Sequence, residues 1–393
     1  MNAVALERVI ADDLSGAAEA AGALHRRGFA TTVVLEGTVP EGLRGVEDLD
    51  VRNAPDAETI IERAFADGGP VHYVKIDSQL RGPVSAFIAA AARRAAVVLA
   101  PALPAADRTV VDGVPLLGGI PLSTSPASAW RTEAGSAPRR LDDLIPEGLP
   151  RRSWSRAQVR SGAFAAHLAG AEIGSVHIPD ADSPADLTHI ADAVQGASRV
   201  IPIGSAGLWE ALLPAARTSP PVGDATGVDR AIVLLGSLEP VVHRQWSAVR
   251  RDTTLVRATA DEGADELSSR IARAGEGAAR VIAITAGPAD GAHHVRVADL
   301  LGRSAAAAVR DHPATALCLI GGETARRALD ALGESVLHVI GEIHPGAVLS
   351  RTARGRMVVT RPGSFGDDRS LELIISTLLG DAPRAHQEEG PCD

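Results

Sequence analysis

The sequence predicts an α/β protein of two domains, each a mostly parallel sheet flanked by helices. Three observations carry this. Short β-branched runs alternate with longer alanine-rich segments of helical period, the pattern of strands crossed over by helices. The chain of 393 residues is too long for one ordinary core. Residues 214–229, PAARTSPPVGDATGVD, break the alternation with Pro220-Pro221 and small polar residues, as an interdomain linker does.

Before that linker the runs at 8–11, 31–35, 72–75, 96–100, 174–178 and 200–203 read as strands; after it come 231–235, 254–256, 281–285, 317–320 and 357–360. Residues 113–150 carry prolines, glycines and serines without clear period and are expected as surface loop, over a cleft if one exists. The tail from Asp381 is polar and expected to fray. No repeat of fixed period is present.

Composition excludes several classes. Hydrophobic content of 45% with 39 glycines and 25 prolines describes a globular chain with many turns. A formal charge of −10 leaves no basic stripe to displace counterions from nucleic acid, and 3% aromatics leave few stacking platforms for bases. No basic segment with an apolar core opens the chain as a signal peptide does. The apolar stretch 86–106 is interrupted by Arg93 and Arg94, against a membrane span. Cys318 and Cys392 are too few and too distant for a disulfide framework, which fits a reducing cytoplasm. The sequence leaves a homo-oligomer open.

Of 39 basic side chains, 38 are arginine, and the one lysine is Lys75. Where exchangeable lysines have been replaced, a retained one points to a site that needs a compact ammonium instead of a wide planar fork. Lys75 opens KIDSQLRG, with Asp77, Ser78, Arg81 and Gly82 at a strand end. Lys75 and Arg81 together can neutralise a carboxylate or phosphate, Arg81 being the bidentate candidate and Ser78 adding a hydroxyl. The plain alternative is a local Asp77–Arg81 ion pair on an exposed turn. The first strand runs into Asp12-Asp13, where open α/β sheets bind ligands; one carboxylate can cap the next helix while the other faces a crevice and takes a proton from a hydroxyl. Both could instead serve only the turn. Arg108 is a further anion contact or one of many solvated arginines, and the turn Gly204-Ser205-Ala206-Gly207 serves a ligand or nothing.

The second half offers glycine turns at strand ends: Gly236-Ser237, Gly321-Gly322-Glu323-Thr324, and Gly363-Ser364-Phe365-Gly366 after Arg361. Backbone amides and helix N-termini there suit a phosphate cradle. A P-loop lysine motif is absent, and no Gly-x-Gly-x-x-Gly follows a strand, which disfavours an NAD-dependent dehydrogenase. The histidines, His293-His294 included, lack partners at metal-ligand spacing.

Taken together, ADDLSGA, KIDSQLRG, APALPAADRTVVDG, GSAG, GGET and TRPGSFGDD, in this order over nearly the whole chain, resemble the four-carbon acid sugar kinases. The resemblance implies a sugar-acid-binding domain at 1–213, the linker at 214–229, a nucleotide-binding domain at 230–380 and a flexible tail at 381–393. It also implies an active-site cleft between the two domains. The implied reaction moves the γ-phosphoryl group of ATP, with Mg²⁺, to the terminal hydroxyl of a tetronate-type acid: 3-oxo-tetronate, threonate or erythronate, with the branched 3-oxo-isoapionate as alternative. By motif, Asp12, Asp13, Lys75, Asp77, Ser78 and Arg81 line the acid pocket. Of these Asp12, Asp13 and Lys75 are the catalytic candidates, while Ser237, Gly321, Gly322, Glu323, Thr324, Gly363, Ser364, Phe365 and Gly366 hold the nucleotide. The chain departs from the family pattern where Ser15, Ile76 and Gln79 replace threonines, where Arg361 replaces lysine, and where Leu238-Glu239 replaces a small pair. Glu239 beside a triphosphate would repel it, the best support for a sugar-acid sensor that binds without transfer.

Overall fold

The computed structural model describes residues 7–128, 136–215, 227–237, 240–249, 252–259, 262–286, 291–363 and 365–381. The chain divides into two compact units. The first comprises Met1–Pro220, Asp290–Ala292 and Ser335–Val339; the second comprises Pro221–Ala289, His293–Glu334 and Ile340–Asp393.

In the first unit the strands are β1 (Arg8–Ala11), β2 (Thr32–Val34), β3 (Gly45–Asp48), β4 (Tyr73–Lys75), β5 (Ala96–Ala100), β6 (Arg108–Val111), β7 (Val114–Leu117), β8 (Ile120–Pro121), β9 (Arg151–Trp154), β10 (Val176–Pro179) and β11 (Val200–Gly204). The helices are α1 (Leu14–Arg26), α2 (Ala57–Ala66), α3 (Val84–Ala92), α4 (Arg156–Arg160), α5 (Ala163–Leu168), α6 (Pro184–Gly196) and α7 (Ala206–Leu212). The main sheet runs β2-β3-β1-β4-β11-β5-β10-β9 with every pairing parallel. Residues 336–338 add an antiparallel edge beside β2. A separate antiparallel sheet has the order β6-β7-β8.

All four residues of β1, RVIA, are buried, as expected of a central parallel strand covered on both faces. The helix α1 follows at once because Asp13, in extended conformation, caps it by accepting from the Gly16 amide. Its alanines and glycines let the helix approach the strands closely. The sequence reading passed over β3, GVED, because a polar run without alternation does not look like a strand. Glu47 is tolerated there since the Arg8 guanidinium grips both its oxygens, at 2.7 and 2.8 Å, and donates further to the carbonyls of Ala64 and Gly69. The expected loop at 113–150 instead contributes β7 and β8, and β9 follows it directly; residues 129–135 lie outside the described set.

In the second unit the strands are β12 (Arg230–Leu235), β13 (Thr253–Ala258), β14 (Val281–Ala286), β15 (Thr315–Ile320), the part of β16 (Val336–His344) from Ile340 onward, β17 (Ala347–Thr352) and β18 (Met357–Arg361). The helices are α8 (Pro240–Ser247), α9 (Ala264–Gly275), α10 (Gly291–Val309), α11 (Gly322–Leu332) and α12 (Ser370–Leu379). The order is β13-β14-β12-β15-β18-β17-β16. The first five strands pair in parallel, and β17 is antiparallel to β18. The pair β16 and β17 was not anticipated. Val233, Leu235, Ala283, Cys318, Val359, Ile374 and Leu378 belong to one buried apolar cluster on this sheet. Most of the expected linker (residues 216–226), most of the expected tail (382–393) and the side chains of His293-His294 lie outside the described residues. Among those described, no helix is long and apolar enough to cross a membrane.

Candidate active site

Three strand ends of the first unit, those of β1, β4 and β5, lead into the predicted acid-pocket residues. Asp12 and Asp13 leave β1, Lys75 ends β4, and Asp77, Ser78 and Arg81 follow it; Arg108 opens β6 shortly after β5. A fourth end, that of β3, adds Arg52, which the sequence reading missed along with its strand. Arg52 Nε and Nη2 each lie 2.8 Å from Asp12 Oδ2, and Nη1 donates to Asp13 Oδ2 at 2.8 Å. Asp13 is thus occupied on both oxygens, since its Oδ1 accepts from the Gly16 amide at 2.9 Å. The other oxygen of Asp12, Oδ1, is buried and has no hydrogen-bond partner among the described residues. Burial raises the Asp12 carboxyl to about 6, opposed by Arg52 and Lys75 and reinforced by Asp13 and Asp77.

Lys75 is buried and pairs with Glu19 of α1 at 3.0 Å. Burial alone would lower its ammonium, but Glu19, Asp12 and Asp13 outweigh it and hold the group above its ordinary value. Glu19 was also missed, although a lone acid in the alanine-rich stretch LSGAAEAAGA is the counterpart of the lone lysine. A Cβ on Gly16 would come within 3.3 Å of Lys75 Nζ and 3.0 Å of Asp13 Oδ1, so a side chain there would crowd both groups.

Asp77 accepts from Arg81 Nε at 2.7 Å, so the local pair anticipated as the plain alternative does exist. It is not on an exposed turn: Asp77 is buried. Burial pushes its carboxyl up, but Arg81, Arg52 and Arg108 hold it well below the ordinary carboxylate range. Arg108 Nη1 donates to the Ser78 hydroxyl, placing this arginine in the cluster instead of on a solvated face. Leu80, buried at φ 64, and Gly82, at φ 87, turn the loop back so that Gly82 abuts Arg52 and Asp12. Ser205, by contrast, is structural: its hydroxyl donates to the Ala102 carbonyl and caps α7 through the Gly207 amide.

In the second unit three predicted turns meet at the ends of neighbouring parallel strands β12, β15 and β18. The Gly236 amide donates to the Ile320 carbonyl and the Gly321 amide to the Arg361 carbonyl. A Cβ on Gly236 would fall 2.5 Å from Thr324 Cβ, and a Cβ on Gly321, which at φ 106 precedes α11, would fall 3.5 Å from the Ser237 amide nitrogen. The positive end of α11 therefore lies beside Ser237. Arg361 is buried; its Nη1 donates to Gln245, Ser370 and the Phe365 carbonyl, while Nε and Nη2 have no partner among the described residues. Burial lowers this guanidinium to about 10. Gln245, which no sequence signal marked, donates to the carbonyls of Phe365, Gly366 and Asp367 and so holds the loop. Gly363 and Gly366 lie in that loop, whereas Ser364, Leu238 and Glu239 fall outside the described residues. Among the described residues no group of three or more His, Cys, Asp or Glu side chains is arranged to hold a metal.

Two family models match most of the chain. A model described as the sugar-binding N-terminal domain matches residues 8–212, and one described as the nucleotide-binding C-terminal domain matches 232–371. The chain belongs to the four-carbon acid sugar kinase family. That membership makes it a phosphotransferase. A D-threonate kinase of Cupriavidus necator is 30% identical, with 92% of this chain and 95% of the relative covered. A 3-oxo-tetronate kinase of Methylobacterium radiotolerans is 26% identical, covering 93% and 98%. Two solved structures share the fold at 19% identity. One, titled a putative tRNA synthase from Salmonella typhimurium LT2, has a TM-score of 0.72 and covers 93% and 98%. The other, Haemophilus influenzae protein HI1011, has a TM-score of 0.69 and covers 95% and 100%.

Proposed function

We propose that this family member transfers the γ-phosphoryl group of ATP to the terminal hydroxyl of a four-carbon sugar acid of the tetronate type. The observation that carries the reading is the strand-end cluster: Asp12, Asp13 and Asp77 beside Arg52, Lys75, Arg81 and Arg108, in the unit matched by the sugar-binding model. Relatives named D-threonate kinase and 3-oxo-tetronate kinase support the substrate class.

The chemistry asked of the protein is placement and charge. Phosphoryl transfer needs the hydroxyl in line with the γ-phosphorus and cations against the spreading negative charge. Arg81 and Arg108 offer planar donors to the carboxylate of the acid, with Ser78 beside them. Lys75 supplies a compact positive charge, and one aspartate of the Asp12–Asp13 pair orients the attacking hydroxyl. Ser237, the Gly321–Thr324 turn and the Gly363–Gly366 loop hold the nucleotide through main-chain amides. A Mg²⁺ accompanying the nucleotide would supply further positive charge against the transferring phosphoryl group.

ADP release measured over D- and L-threonate, D- and L-erythronate, their 3-oxo forms and 3-oxo-isoapionate tests the reading. One tetronate is expected to exceed the ATP-only background at least a hundredfold. Background rates with every acid, while isothermal titration still records tetronate binding, would make the protein a sensor and overturn it.

A further inference from the structure

We propose that Arg52 is the positioning residue that divides the aspartate pair, fixing Asp13 as a structural group and leaving Asp12 Oδ1 to accept the proton of the attacking hydroxyl. The inference rests on the kinase reading and assigns roles within that site.

The two carboxylates are adjacent in sequence but not equivalent. Asp13 spends Oδ1 on the first turn of α1 and Oδ2 on Arg52 Nη1, so neither oxygen is left over for a substrate. Asp12 directs only Oδ2 to Arg52, and its Oδ1 remains an acceptor without a donor. A buried carboxylate oxygen in that state is costly to leave unmatched, and a substrate hydroxyl is the donor the reaction itself supplies. The side chain of Arg52 is only 17% exposed. Its backbone is tied to the same residue it serves, because the Val51 and Arg52 amides both donate to the Asp12 carbonyl, at 3.0 and 3.2 Å. Gly82 closes the third side, a Cβ there reaching 3.4 Å from Arg52 Cα and 3.3 Å from Asp12 Oδ2. Spanning one carboxylate with Nε and Nη2 and a second with Nη1 is a task for a planar fork; an ammonium cannot do it.

In the step, the alcohol oxygen forms a bond to the γ-phosphorus and its O–H bond breaks, with the proton going to Asp12 Oδ1. The bond from that phosphorus to the β–γ bridging oxygen breaks with its electron pair, which leaves on ADP. The charged groups facing Asp12 are Arg52 and Lys75, which favour its ionised form, and Asp13 and Asp77, which oppose it; Glu19 pairs with Lys75. With burial already raising this carboxyl, loss of Arg52 raises it further.

The test follows kcat and KM for the best acid against pH in the wild type, Arg52→Gln and Arg52→Lys, with circular dichroism confirming the fold. Arg52→Gln is expected to lose about 10²-fold or more in kcat, the scale of a disabled general base, with KM within a few-fold and the acid limb displaced to higher pH. Arg52→Lys keeps the charge and loses the fork, so its limb stays near the wild-type position while kcat falls at least about tenfold. An unmoved limb in Arg52→Gln, or a loss carried wholly by KM, overturns the assignment. Should Arg52→Gln fail to fold, Arg52→Lys decides alone: wild-type kcat overturns it, and reduced kcat at constant KM upholds it. A wild type inert toward every acid sinks the kinase reading and this inference together, whereas an active wild type with an indifferent Arg52 sinks this inference only.

Discussion

At Lys75 the ammonium lies 3.0 Å from Glu19, against a helix whose Gly16 leaves no room for even a methyl group at ordinary contact distance. A guanidinium is wider than that space. Lys75→Arg, a conservative change by charge, is therefore expected to cost at least about a hundredfold in turnover, more than Arg81→Lys; steady-state ADP release compares them directly. The aspartates set the pH response. Asp12 must be ionised to accept a proton, so kcat/KM is expected to fall as pH drops through about 6. Stability moves the other way for this group. Its folded pKa exceeds the ordinary value, so its contribution is greatest below about 4 and is lost as pH rises through about 6. Thermal melts of Asp12→Asn and wild type should accordingly diverge with rising pH, the variant gaining.

At the scale of elements, the buried Arg8–Glu47 pair joins β1, β3 and α2, with side chains only 4% and 2% exposed. Glu47→Ala strands an unpaired guanidinium in the core and is expected to lose about 3–5 kcal/mol in urea unfolding. This pair also explains what could be read in advance. The ends of β1 and β4 were legible because runs such as RVIA and YVK lead straight into charged residues. The strand β3 was not, since its buried Glu47 is matched in charge by Arg8, 39 residues earlier, and with it went Arg52. The hairpin β6–β7 was legible in principle. Asp112 and Gly113, at φ 53 and 72, form its turn between Val111 and Val114, and Asp-Gly between β-branched residues is a strong hairpin signal. Reading a loop from Gly113 onward cut that hairpin in half. In the second unit the glycine turns were visible, but Gln245 and its grip on the Phe365–Asp367 carbonyls arise from packing that no local pattern encodes.

At the scale of the whole chain, matches to a sugar-binding and a nucleotide-binding model within one polypeptide fit one transfer reaction between two ligands. If the cluster at the ends of β1, β3 and β4 is the acceptor side, as proposed, the terminal oxygen of the acid is the one phosphorylated. Phosphorus–proton correlation NMR of the product made from ATP and the best tetronate tests this most directly. The account predicts a phosphate coupled to the terminal CH₂ protons, and no such product from Asp12→Asn. A phosphate on an inner carbon or on the carboxylate, or undiminished product from Asp12→Asn, would contradict it.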